Sequence, residues 1–110
     1  MSAGFAMVYC TFPDGDTAAK TVAGAVRLRL AACANIIAGV RSIYRWKDEI
    51  HDDTESLAIF KTTNTKVDAL RDHLIANHPY DCPEVIAVPV TGGSPAYLSW
   101  LAASVDPAGS

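Results

Sequence analysis

The most constraining feature of this sequence is that its strand-like segments are apolar on both sides. Residues 5–12 read FAMVYCTF, a short β-branched and aromatic run. In a strand, alternate side chains point to opposite faces. Ala6, Val8, Cys10 and Phe12 then form one set, and Phe5, Met7 and Tyr9 the other. Further on, Leu57 and Ile59 oppose Ala58 and Phe60, and Val85 and Ala87 oppose Ile86, Val88 and Val90. A sheet with one wet face should alternate apolar with polar residues. These strands expect cover on both faces.

The segments between them set the order of elements. Pro13-Asp14-Gly15-Asp16 is a turn that can cap a helix, and Ala19, Val22, Ala23, Val26 and Leu30 form a helical stripe within residues 17–32. Residues 34–46 read as a long strand with a bulge or bend at Ala38-Gly39. Residues 47–53 (KDEIHDD) read as a polar hairpin connection, and 54–63 as the returning strand. Thr65-Lys66-Val67-Asp68 fits a loose capping box ahead of Val67, Leu70 and Leu74. That helix ends near Asn77, because Pro79 disfavours helical backbone at His78. Residues 84–90 form a fourth strand, which Pro89 assigns to a sheet edge. Ser94-Pro95 starts a last short helix as N-cap and first position. The order βαββαβ plus a C-terminal helix is the split βαβ, ferredoxin-like α+β arrangement with a four-stranded antiparallel sheet. Right-handed crossovers put both main helices on one face.

The other face therefore needs a partner. Burying three or four medium apolar side chains there is worth on the order of 5–10 kcal/mol per chain before the costs of association. The C-terminal helix is too short to cover the whole face, so self-association is expected.

The 110 residues suit one domain, with a core of about residues 5–105 and a small, polar tail over 106–110. The net charge of −3, without a cluster of basic residues, argues against a nucleic-acid partner. Arg41 and Arg45 are expected to share a strand and form ion pairs. No apolar stretch approaches membrane-spanning length. Cys10, Cys33 and Cys82 are odd in number and widely spaced, which suits a reducing compartment and not a disulfide framework. With no positively charged n-region at the start, a cytoplasmic location is expected.

Several segments together resemble one family: Cys10-Thr11-Phe12-Pro13-Asp14, residues 30–37 (LAACANII), 39–46 (GVRSIYRW), Lys61-Thr62, 78–84 (HPYDCPE) and 95–100 (PAYLSW). From about Met7 to Val105 the chain resembles the CutA, divalent-cation tolerance family. The resemblance implies a ferredoxin-like fold, a homotrimer with strands paired between subunits, and architectural kinship with PII signalling proteins. It also implies tolerance of divalent cations, with copper ligands proposed in relatives matching Cys10 and His78. Relatives with a second histidine have it where this chain has Asn77.

Topology brings Cys10, His78 and Glu84 together, since the last strand runs antiparallel beside the first. Thiolate, imidazole and carboxylate suit copper or zinc. The same residues also suit a small buried hydrophobe, a helix C-cap and an ion-pair acid. Cys33 is expected in the core, and the acidic hairpin connection in solvent. Tyr44, Trp46, Lys61, Tyr80 and Tyr97 are candidates for a cleft between subunits that takes a small anionic ligand, by analogy with PII trimers. No nucleophile–base–orienter set is apparent, so no enzymatic role is expected.

Overall fold

The computed structural model describes residues 4–106. The order is β1 (Phe5–Phe12), α1 (Gly15–Arg27), β2 (Cys33–Trp46), β3 (Glu49–Thr63), α2 (Val67–Ala76), β4 (Ile86–Val90) and α3 (Pro95–Val105), with a 3-10 turn over Asn64–Lys66. The sheet order is β2-β3-β1-β4, and all neighbouring strands are antiparallel. This is the expected α+β arrangement, with β4 at an edge. The tail expected over 106–110 lies outside the described residues apart from Asp106.

Asp14 caps α1, its carboxylate accepting from the Thr17 N–H at 2.7 Å. The helix presents Ala18, Thr21 and Ala25 to the sheet. It ends five residues before the expected Ala32, because Arg29 turns left-handed (φ 59°). The capping box at Thr65 is not formed. No side chain caps α2, and the Thr65 hydroxyl meets that of Thr63 at 2.9 Å. At the other end Asn77 closes α2, its side-chain amide donating to the His73 carbonyl at 2.8 Å.

The core lies between the helices and one sheet face. Val8, Cys10, Phe12, Ala58 and Phe60 pack there with Ala18, Ala25, Leu70 and Leu74. On the other face α3 covers only one end, where Leu101 and Val105 meet Ala32 and Phe5. Ile37 remains 46% exposed and Ile86 54%, with Val88, Tyr97 and Trp100 also open.

The β2–β3 hairpin is longer than expected. Residues 49–53 continue the ladder to a two-residue turn at Lys47-Asp48, and no polar connection intervenes. The acids are held in strand by cross-strand partners. Arg41 donates to both oxygens of Asp52 at 2.9 and 2.7 Å, and the Tyr44 ring stacks on His51. The bulge does fall where Gly39 (φ 75°) predicts it, between Ile37 and Val40. The hairpin stretches the molecule to 49 × 25 × 22 Å. No helix among the described residues is long and apolar enough to cross a membrane.

Candidate functional site

β1 and β4 bring Cys10, His78 and Glu84 into one corner, as the topology requires. Tyr9 pairs with Ile86, so Glu84 falls beside the end of β1. His78 reaches the same end, where its Nε2 lies 2.7 Å from the Thr11 carbonyl oxygen. The Tyr80 backbone N–H donates to its Nδ1 at 3.1 Å. Because Nδ1 accepts, Nε2 carries the proton and donates to Thr11. The ring is also stacked on Phe12, with centroids 4.7 Å apart. His78 thus joins the 77–84 connection to the sheet.

That arrangement does not fit a resident copper or zinc ion. A ligand imidazole needs a free lone pair, and a ligand cysteine needs a thiolate. In His78 one nitrogen is occupied by Tyr80 and the other is protonated. Cys10 is fully buried, and its thiol is pushed up to about 12, first by burial and then by the charges of Glu84 and Glu55. Among the described residues no group of three or more His, Cys, Asp and Glu could hold a metal ion. Asn77, in the position of a second histidine, uses its amide to close α2.

A cleft opens between the hairpin and the 77–84 connection, with a cavity volume of roughly 850 Å³. Tyr44, Trp46 and Tyr80 line it, as do Glu84 and Cys82. The Tyr80 hydroxyl donates to Glu55 Oε2 at 2.8 Å, and the Tyr44 hydroxyl to Asp53 Oδ2 at 2.5 Å. Both phenols are raised above the ordinary value. For Tyr44 the hydrogen bond it donates to Asp53 leads; for Tyr80 burial leads, then the bond to Glu55. Burial and then the nearby Glu55 charge hold the Glu84 carboxyl above its usual range.

The sequence reading missed Asp53 because it placed residues 47–53 outside the ladder, and it gave Glu55 no role although it placed that residue in the returning strand. The available signal was their phase. With period two, Asp53 and Glu55 continue the face of Leu57 and Ile59. Lys61 and Tyr97 stand elsewhere, at the covered end of the open face. Lys61 donates to Asn35 Oδ1, while the Tyr97 hydroxyl lies 3.5 Å from the Cys33 sulfur and its ring beside Trp100. Cys33 is accordingly half-buried at the start of β2 and not in the core. The five cleft candidates therefore divide between two places. The cleft within the chain is lined by Asp53, Glu55, Asp81 and Glu84 together with Arg41.

Comparison with known proteins places this geometry in a family. The model of the CutA1 divalent ion tolerance protein family matches residues 6–104. The chain belongs to the CutA1 family. It is 45% identical over 95 residues to the chloroplastic protein CutA of Arabidopsis thaliana, matching 86% of this chain but 52% of that one; it spans about half the length of the two plant relatives compared. The divalent-cation tolerance protein CutA of Thermus thermophilus is 41% identical and is covered over 92% of its length. The crystal structure of CutA from Xylella fastidiosa superimposes with a TM-score of 0.91 at 36% identity, covering 94% of this chain and all of that one.

Proposed function

We propose that this chain serves divalent-cation tolerance as a homotrimer, without catalysis, and that its assembled surface carries the role. The observation that supports this reading is the half-covered sheet. Ile37, Ile86, Val88, Tyr97 and Trp100 leave an apolar face that no element among the described residues closes. The hairpin, apolar at Ile43 and Ile50 and far from the core, needs neighbours of the same kind. The divalent-cation role comes from the family. Three free thiols suit a reducing cytoplasm.

Cation tolerance through a Cys10–His78 centre would require freeing a His78 lone pair from its ring hydrogen bonds and ionising a buried thiol. The assembly is the better carrier. The test is growth under copper challenge in cells that depend on this chain. Ile86→Asp with Val88→Asp should abolish tolerance along with assembly, while Cys10→Ser should retain it. Loss of tolerance in a correctly assembled Cys10→Ser protein would overturn the reading.

A further inference from the structure

Arg29 occupies a backbone position that suits glycine. After α1 the Arg29 N–H donates to the Val26 carbonyl at 3.1 Å, and the Leu30 N–H to the Ala25 carbonyl at 2.9 Å. This crossed pair is the Schellman closure of a helix, whose left-handed residue is usually glycine because a Cβ is disfavoured there. Arg29 adopts that conformation at φ 59°. Glycine would serve the turn better. The arginine brings instead a side chain that reaches another element.

Its guanidinium Nη1 donates to the Ser104 carbonyl at 2.8 Å. Ser104 lies in the last turn of α3, where carbonyls lack donors within the helix. α3 has no basic residue of its own in that turn. A cation there satisfies a carbonyl and complements the negative end of the helix dipole. At the other end of α3, Gly92-Gly93 precedes Ser94, and the Ser94 side chain makes no capping bond. The helix rests on a second, small apolar cluster, in which Leu101 and Val105 meet Ala32 and Phe5, and Tyr97 touches the Cys33 sulfur. Arg29 therefore acts on a helix with a modest hold of its own.

We propose that Arg29 is a latch. Its guanidinium ties the C-terminal end of α3 down over Ala32 and Phe5. Without it α3 opens as a unit while the sheet and the other helices stay folded. Tyr97 and Trp100 ride on α3, so the latch also sets how the aromatic end of the open face is presented. The contact lies within one chain and does not rest on the trimer or on a role in cation tolerance.

The experiment is amide hydrogen exchange of the full chain, followed residue by residue by NMR, for the wild type, Arg29→Gly and Arg29→Ala. Arg29→Gly should act in opposite directions on two helices. Glycine eases the left-handed turn, so the Leu28 and Leu30 amides should exchange several-fold more slowly. The α3 carbonyl loses its cation, so the amides of residues 101–105 should exchange about tenfold faster, the scale of one charge-assisted hydrogen bond. Arg29→Ala keeps the strained turn and should loosen α3 to the same extent. The amides of Val8 and Phe60, in the sheet, should not speed up in either variant. The proposal is overturned if α3 in Arg29→Gly exchanges as in the wild type, which would make the turn and not the guanidinium responsible. It is equally overturned if Val8 and Phe60 speed up as much as α3, which would make Arg29 part of the global fold.

Discussion

The two faces of the sheet are built from the same strands and meet different fates. Toward the helices, Val8, Cys10, Phe12, Ala58 and Phe60 are sealed by Ala18, Ala25, Leu70 and Leu74. Away from them, residues one position along the same strands, such as Ile86 and Val88, stay open to solvent except where α3 reaches Phe5. Apolar content does not distinguish the faces. What differs is whether this chain has an element long enough to cover them. One face is completed within the chain, and the other is left for the copies that the proposed trimer would bring.

Substitution at the sealed face should have the largest effect. Phe60→Ala leaves a cavity among Val8, Leu70 and Leu74, and should cost about 3–5 kcal/mol in urea unfolding whatever the association state. At the open face the effect should be of another kind. Ile86→Asp with Val88→Asp should leave the circular dichroism spectrum native but lower the sedimenting mass to that of one chain. If both changes lowered only unfolding midpoints, with mass unaltered, the contrast between the faces would be lost.

Cys10→Ser tests which face owns the thiol. As a sealed core residue, it should lose about 1–3 kcal/mol on receiving a hydroxyl, with copper affinity in calorimetry unchanged. A large drop in copper affinity would mean that Cys10 ligates and does not merely pack.

Glu84 gives a smaller, pH-dependent effect. Its folded-state carboxyl lies above the ordinary value, by burial and by Glu55. The unfolded chain therefore releases that proton more readily. The group favours folding below its unfolded value and loses that contribution as pH rises through the folded one. Glu84→Gln should raise the urea midpoint at neutral pH, with the gain fading by about pH 4. An equal gain at both pH values would point away from titration. The smallest change is expected far from both faces. At the hairpin tip Lys47 and Asp48 have φ of 51° and 64°, and Asp48→Gly should add about 0.5–1 kcal/mol by relieving the left-handed backbone.

The sheet was legible because its signals are local and periodic. Alternation in residues 5–12, Gly39 at the bulge, Pro89 at the edge and Ser94-Pro95 at α3 each act on nearby backbone. Element ends were less legible where a distant partner decides them. Asp52 faces Ile43 in the ladder and is joined diagonally by Arg41, and Thr65 forgoes its capping role for Thr63. The site was half legible. Topology put Glu84 beside Cys10, but no pattern in the sequence shows that both nitrogens of His78 are spent on Thr11 and Tyr80. Glu55 was hidden among its acidic neighbours, although its phase with Leu57 marked it for the sheet surface.

Sedimentation equilibrium at low micromolar concentration tests the central claim most directly. The account predicts one species of three times the 11.7 kDa chain mass. A natively folded species of 11.7 kDa, stable with Ile37, Ile86 and Val88 in water, would contradict it.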